Sequence, residues 1–221
     1  MECKKIAVIH TDFPTKFGIP RQSGILEVLP SRIVFEPEYR DPSALKGIEG
    51  FSHLWLLWEF SEVGDRHSFS PTVRPPRLGG NARMGVFATR SPYRPNPIGL
   101  SCVRLLAVEG CDLLVSGADL MDGTPILDIK PYLPFADCKP ESTGGFAEPV
   151  RENTLSVVIP KALRDILPSP QREALPRLLA EDPRPHYQKD PDRIYGFPFA
   201  GYEIRFTVKD DILTVLSIEK A

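Results

Sequence analysis

The chain has 221 residues, of which 42% are hydrophobic and 25% charged, and its formal net charge is −2. That length accommodates one large domain, or a main domain with a small appendage, and either can bury a core without disulfides. The net charge argues against a surface that coats nucleic acid nonspecifically.

The most apolar stretch, residues 51–60, is too short to span a membrane. The first residues lack the apolar segment and the small-residue cleavage site of a secretory signal. The cysteines are far apart, which gives little support to a metal site or a redox motif. They are Cys3, Cys102, Cys111 and Cys138. We therefore expect a cytoplasmic protein without a metal.

Short apolar or alternating stretches predict β-strands along the first part of the chain. They cover residues 5–10, 24–29, 32–36, 51–60, 84–89, 98–108, 112–120 and 125–129. One helical signal interrupts them at residues 41–47, where Asp41 is placed to cap the first turn and Pro42 to begin it. The turn residues between the strands favour hairpins over long crossovers. The pattern predicts a mainly β fold built on an antiparallel β-barrel.

Residues 138–152 are rich in Pro, Glu, Ser and Gly, as in a linker. The segments predicted after it are a strand at 155–159, a helix from 160 or 161, a helix at 169–180 and strands at 201–209 and 212–218. We expect two domains, a barrel over residues 1–140 and a small α+β module over residues 153–221. A core of the second size is marginal alone, so the module should lean on the barrel or on a partner.

Charge is distributed unevenly, because residues 66–108 contain no acidic residue and no lysine. The arginines of this window are Arg66, Arg74, Arg77, Arg83, Arg90, Arg94 and Arg104. Prolines stiffen residues 74–81 and 90–99, and a stiff loop can hold a planar guanidinium ready to grip a phosphate or carboxylate at two points. The window predicts an anion-binding surface. The alternative is a structural connection whose arginines cap carbonyls or pair with distant acids.

A second motif covers residues 119–132. The Asp-Gly pair within it is a strong turn signal that a plain hairpin explains. Asp128 and Lys130 lie on one face of the predicted strand, directly before Pro131. They could bind a ribose hydroxyl or an amino group, or form a simple ion pair, and both interpretations stay open.

Other chemistry finds little support in the sequence. There is no Ser-His-Asp or Cys-His set, no phosphate-binding GxxxxGK[ST] loop and no GxGxxG after a strand. This argues against a hydrolase, a nucleoside triphosphatase and a Rossmann dehydrogenase. His10 and His53 are best explained as structural or rim residues.

Several segments together resemble the TsaA/TrmO (YaeB-like) family of tRNA methyltransferases. They are PRQ at 20–22, FSHLW at 51–55, RPPRLGGN at 74–81, GVFATRSP at 85–92, RPNPIG at 94–99, DGTP at 122–125 and DIKPY at 128–132. Residues 182–185 and the closing hairpin resemble the C-terminal domain of bacterial members. The resemblance implies a barrel unlike the Rossmann-type methyltransferases, a homodimer, and S-adenosylmethionine as methyl donor. It also implies methylation of N6 of N6-threonylcarbamoyladenosine, just 3′ of the anticodon of threonine tRNAs.

The resemblance also implies site residues. Those expected to contact the donor are Arg21, Gln22, Ser23, Gly24, Ile25, Arg90, Leu105, Asp128, Ile129, Lys130 and Pro131. Serine 23 departs from the family, which has proline there, so a role for its side chain is in doubt. Those expected to bind RNA are Arg74, Arg77, Asn81, Arg83 and Arg94.

Methyl transfer from a sulfonium is an in-line displacement, so the protein must mainly align the reactants and exclude water. The carbonyl on N6 of the substrate base makes that nitrogen a poor nucleophile, and loss of its proton should help. We expect Asp128 or a nearby oxygen to assist, with Asn96 and Arg94 beside the reacting base. Arg90 or Arg94 would hold the threonyl carboxylate or a phosphate.

Two other functions are compatible with the same residues. A non-catalytic RNA-binding module would use the arginine-rich face without a methyl donor. An interaction scaffold would dock proteins through the proline-rich loops and bind neither RNA nor donor.

Overall fold

The computed structural model describes residues 3–64, 69–75, 82–150, 154–184, 190 and 192–221. Its first part is a closed barrel. The barrel strands are β1 (Ala7–His10), β2 (Pro30–Phe35), β3 (His53–Glu59), β6 (Ile98–Glu109), β7 (Asp112–Ser116) and β8 (Thr124–Pro131). They follow the order β1-β2-β7-β6-β3-β8 around the barrel, and each neighbouring pair is antiparallel. The predicted mainly β fold is confirmed.

Alternation along the strands explains why the barrel closes. In β3, Leu54, Leu56 and Trp58 point inward and are buried, while the residues between them are partly exposed. Burying a side chain of this size stabilises the fold by about 1.5–3 kcal/mol. Register shifts between Leu57 and Trp58 and between Leu105 and Ala107 mark bulges, which add the local twist that a closed barrel needs.

A small hairpin stands between β3 and β6. It consists of β4 (Thr72–Val73) and β5 (Met84–Gly85), and a 3₁₀ turn at Val86–Ala88 follows it. The strand predicted at 84–89 is therefore mostly wrong, since only its first two residues pair. The other 3₁₀ turns within the described residues are Pro37–Tyr39, Pro42–Leu45, Ile48–Gly50, Ser61–Val63 and Gly145–Val150.

The helical signal at 41–47 corresponds to the 3₁₀ turn at Pro42–Leu45. The Asp41 carboxylate accepts a hydrogen bond from the Ser43 N–H at 2.8 Å, as expected of a cap. Hydrogen bonds from Ser43 lower the pKa of Asp41. A short helix that the pattern did not predict, α1 (Pro134–Asp137), follows the barrel.

The last part of the chain is an α+β module. Its elements are β9 (Ser156–Val158), α2 (Lys161–Arg164), α3 (Ser169–Ala180), β10 (Tyr195–Phe199), β11 (Tyr202–Lys209) and β12 (Ile212–Lys220). The sheet order is β10-β11-β12-β9, with β9 parallel to β12. Asp210 and Asp211 both have positive φ, which matches the twist of a tight hairpin between β11 and β12. Strand β10 escaped prediction.

The connection between β1 and β2 leaves the barrel and joins the core of the C-terminal module. Phe13, Leu26 and Leu29 are buried there among the α3 and sheet residues. Gly18 has a φ of +85°, and a Cβ on it would lie 2.4 Å from the Phe197 ring. The strand predicted at 24–29 is therefore wrong, because its apolar residues pack as turns against a different core. The module leans on this connection, as its small size suggested.

Within the described parts of the chain, no helix combines the length and the apolar character needed to cross a bilayer.

Candidate active site

A cavity of about 540 Å³ opens at one end of the barrel. We call it the mouth cavity. Its wall is formed by the connection after β1, the end of β3, the loop before β6 and the segment before β8. The antiparallel order brings these four segments together, because the ends of β1, β3 and β7 meet the starts of β2, β6 and β8. The volume lies in the range of small-molecule sites.

Both signs of charge line the mouth cavity. The cations are Lys16, Arg21, Arg90 and Arg94. The acids are Glu59, Glu62 and Asp119. Apolar wall is supplied by Trp58, Phe60, Ile98 and Leu100. Such a wall suits a ligand that carries an anionic group, a cationic group and a flat apolar part.

The turn at residues 21–25 is anchored to the barrel. The pairing of β6 with β7 begins only at Arg104 and Ser116. The turn lies beside the earlier part of β6, which β7 leaves unpaired. The Gly24 N–H donates to the Gly117 carbonyl at 2.9 Å, and the Cys102 N–H donates to the Ser23 hydroxyl at 3.1 Å. The Ser23 side chain, whose role was in doubt, thus completes the strand edge.

The turn also connects to the arginine loop and to the C-terminal module. The Arg90 guanidinium donates to the Gln22 side-chain carbonyl, which joins the loop to the turn. The Arg21 guanidinium donates to the Asp182 carbonyl at 2.6 Å. Arg21, Gln22 and Arg90, all predicted to contact the donor, therefore lie together on the cavity wall.

Arg94 has a structural role besides its place on the wall. Its guanidinium donates to the Thr89 carbonyl at 2.7 Å and to the Val86 carbonyl at 3.3 Å. The same group lies 5.8 Å from the centre of the Phe87 ring. Arg94 thus caps carbonyls, as the structural alternative for the window stated, and these bonds fix its orientation at the cavity.

Asp119 is one of the acids on the cavity wall. It is the first residue of the motif at 119–132, but it was not predicted to be a site residue. The Ser101 hydroxyl donates to its carboxylate at 2.5 Å, and the Trp58 indole N–H donates to the Ser101 oxygen at 2.9 Å. Gly99 makes room for the indole, since a Cβ there would lie 2.2 Å from it. The only local signal for Asp119 was its place as an acid three residues after the end of β7.

Burial raises the pKa of Asp119. Hydrogen bonds from Ser101 and from the backbone of Asp119 and Ser23, together with the charge of Arg90, act in the opposite direction but do not cancel it. A carboxylate in such a setting is a stronger base than one in water. The mouth cavity therefore contains a partly buried acid with a raised pKa.

Asp128 and Lys130 lie elsewhere, on the outer face of β8. They form an exposed ion pair of 2.8 Å, so the pairing of two same-face neighbours is confirmed. Asp128 shares a cross-strand row with Leu57 and Leu100, which puts it two strand spacings, roughly 10 Å, from Leu100. Asp128 and Lys130 are not among the described residues that line the cavity.

The remaining predicted site residues are also off the described cavity wall. Ile129 and Leu105 pack against the barrel core, and Leu100 is the leucine that lines the cavity instead. Ile25 packs against the C-terminal core, and Asn96 is exposed on the loop. Ser23, Gly24 and Pro131 are likewise absent from the described lining.

Of the residues predicted to bind RNA, Arg94 lines the mouth cavity, whereas Arg74 and Arg83 lie elsewhere. Arg74 and Arg83 line a second, smaller cavity of about 170 Å³ on the β4–β5 hairpin. Arg66, Arg77 and Asn81 lie outside the described residues. Arg104 is exposed on β6, opposite His53.

The histidines that the structure describes, His10 and His53, take part in local contacts. His10 Nδ1 lies 3.2 Å from the Asp122 carboxylate, and the His53 ring lies 6.2 Å from the Tyr132 ring. Among the residues that the structure describes, no three His, Cys, Asp or Glu side chains are grouped as metal ligands would be.

Comparisons with known proteins cover nearly the whole chain. The family model described as the tRNA-methyltransferase O N-terminal domain matches residues 8–138, and that of the TrmO C-terminal domain matches residues 152–221. A tRNA (adenine(37)-N6)-methyltransferase of Escherichia coli strain K12 is 40% identical, over 98% of this chain and 97% of the relative.

Two further matches come from Pseudomonas aeruginosa. The protein RcsF, provisionally named an S-adenosylmethionine-dependent methyltransferase, is 39% identical over 96% of this chain and 95% of its own length. A crystal structure of TrmO superposes with a TM-score of 0.81 at 31% identity, covering 99% of this chain and 97% of that one. Sequence and structure thus match along both parts of the chain.

Proposed function

The chain belongs to the tRNA-methyltransferase O family, and we propose that it methylates N6 of adenine 37 in tRNA, with S-adenosylmethionine as donor and the N6-threonylcarbamoyl form of the base as substrate. The observation that carries this proposal is the mouth cavity, where Arg21, Gln22 and Arg90 from two separate family motifs line the same wall as the partly buried Asp119 carboxylate. Enzymes that need alignment more than acid–base groups are built on such preorganised walls.

The cavity wall fits the chemical groups of the donor. Arg90, held by Gln22, suits the donor carboxylate, and Glu59 suits its cationic groups. Trp58 and Phe60, whose rings lie 4.2 Å apart, offer an apolar surface for the adenine ring. When bound, the donor supplies an activated methyl group. The protein supplies orientation and a shielded site.

We assign the proton of N6 to Asp119. As the nitrogen attacks the methyl carbon, the carbon–sulfur bond breaks, sulfur leaves as a neutral thioether, and the N6 proton passes to the Asp119 carboxylate. Ser101 and Trp58 hold that carboxylate in place. A raised pKa makes Asp119 a stronger base than a carboxylate in water. Asp128 remains the alternative acceptor, for a substrate that extends across the outer face of β8.

Arg94 is the cavity residue that we assign to binding the substrate. Its bonds to the Val86 and Thr89 carbonyls orient it, so it can bind the threonyl carboxylate with little loss of conformational entropy. Arg74 and Arg83 would contact phosphates farther along the RNA.

We also propose that the enzyme is a cytoplasmic homodimer. Strand β6 exposes Ile98 and Leu100 near its start and Leu106 farther along, large apolar side chains of the kind that a second subunit covers. Two of these residues border the mouth cavity, so a partner seated there would help to close it.

Transfer of tritium from methyl-labelled S-adenosylmethionine tests the function. We expect label in tRNA that carries the threonylcarbamoyl group, and much less in otherwise identical tRNA without it. Equal labelling of both would overturn the substrate form. A non-catalytic RNA-binding module predicts salt-dependent tRNA binding with no transfer and no donor binding.

A further inference from the structure

Two large aromatic side chains stand exposed beside the mouth cavity. Phe87 is 71% exposed and Phe69 is 59% exposed. Their rings are stacked, with centroids 6.3 Å apart and planes 26° apart. Exposed apolar surface of this size is unfavourable in water unless a partner covers it.

The backbone holds this pair in place. Val86, next to Phe87, is buried, and its N–H donates to the Pro71 carbonyl at 3.0 Å. The Thr89 hydroxyl donates to the Val86 carbonyl at 2.8 Å, which closes the 3₁₀ turn that carries Phe87. The ring is therefore presented by an anchored turn.

The surroundings of the pair are cationic. Arg94 lies 5.8 Å from the Phe87 ring centre and also lines the mouth cavity. Arg74 and Arg83 lie on the adjoining hairpin, and residues 66–108 contain no acid. A flat apolar ring among arginines matches RNA, whose bases stack on aromatic faces while its phosphates pair with guanidinium groups.

We propose that Phe87, backed by Phe69 and held by Arg94, is a stacking platform for an unpaired base that flanks adenine 37 in the anticodon loop. The proposal rests on the proposed function, because it requires a tRNA substrate. To enter the cavity, adenine 37 must leave the stack of bases in the loop. One face of the flanking base is then uncovered. Arg94 touches both the platform ring and the cavity, so the two bases would lie side by side.

The test uses the full-length protein and an anticodon stem-loop RNA that carries 2-aminopurine on one side or the other of adenine 37. Stacking quenches the fluorescence of 2-aminopurine. We expect quenching by the wild type at one of the two positions, loss of it with Phe87→Ala and retention with Phe87→Tyr, which keeps a ring. RNA affinity should fall about 5- to 100-fold in Phe87→Ala, the range for removing one stacking aromatic.

Two controls separate stacking from other effects. The salt dependence of RNA binding should be unchanged in Phe87→Ala but should weaken by about one unit of slope in Arg83→Ala, which removes a phosphate contact. The affinity for S-adenosylmethionine, measured by calorimetry, should be the same in Phe87→Ala and wild type. Because Phe87 is exposed, the thermal midpoint should also stay the same.

Three outcomes would overturn the proposal. One is unchanged RNA affinity and unchanged quenching in Phe87→Ala. Another is that Phe87→Ala changes the sedimentation of the free protein but leaves RNA binding unchanged. The Phe69–Phe87 pair would then be a contact between copies of the chain. If the wild type neither bound nor methylated tRNA, the proposed function itself would fail, and the platform with it.

Discussion

The residues predicted to contact the donor include some on the wall of the mouth cavity and some on the outer face of β8. These two regions differ in how they hold charge. At the mouth, the Arg90 guanidinium bonds to the distant Gln22, that of Arg94 bonds to the Thr89 carbonyl in its own loop, and Asp119 is partly buried. On β8, Asp128 and Lys130 form an ion pair with each other and stay largely exposed. Charges that are desolvated and fixed before a ligand arrives can act strongly on it, whereas water screens an open pair.

The largest expected effect is on methyl transfer by Asp119→Asn. The variant keeps the size and an acceptor for Ser101 but cannot take a proton at this position. We expect single-turnover transfer to fall about 10²- to 10⁴-fold with donor saturating. The rise of the rate with pH that reports an ionising base should also disappear. A variant with wild-type rates would remove Asp119 from the reaction.

Arg90→Ala should weaken donor binding. Loss of a charge-assisted hydrogen bond to the donor carboxylate is expected to reduce affinity about 10- to 100-fold in isothermal titration. Arg104→Ala is the matched control, because Arg104 belongs to the same acid-free window but is exposed on β6, outside the described cavity wall. Undiminished affinity in Arg90→Ala would take Arg90 off the donor site.

Asp128→Asn should change transfer by less than about threefold if its ion pair is only a surface pair, which typically contributes under about 1 kcal/mol. The measurement is single-turnover methylation with donor saturating. A fall comparable to that of Asp119→Asn would reverse the comparison, and would show that the substrate, or a donor shared between subunits, reaches the outer face of β8.

The barrel could be predicted because its signals are local. Alternation and turn pairs mark each strand within a few residues, and the capping role of Asp41 needs only its neighbour Ser43. The segment at 24–29 failed because its apolar residues Leu26 and Leu29 pack on a sheet formed more than a hundred residues later and do not pair in the barrel. Local pattern cannot tell which core buries an apolar residue.

The site was predictable only where motif residues happen to converge. Arg90 and Gln22 meet at the cavity, but alternation on β6 could not tell that Leu100 borders it while Leu105 packs inward near a bulge. Asp119 escaped notice because Ser101, Ser23 and Arg90 create its environment from three distant segments. The environment that raises the pKa of such an acid forms only in the folded barrel, so the local sequence cannot predict it.

The smallest expected effect is on stability. Because the folded protein raises the pKa of Asp119 above the ordinary aspartate value of 3.8, it favours the protonated form. That contribution is fully present below about 3.8, the pKa expected for the unfolded chain, and is lost as pH rises through the higher folded value. The thermal midpoint of wild type relative to Asp119→Asn should therefore decline from pH 4 to pH 8. Asp128→Asn in the same series controls for removing a carboxylate from an exposed position. If the Asp119 difference rose with pH, the carboxylate would be stabilised in its ionised form, and its assignment as the proton acceptor would lose its physical basis.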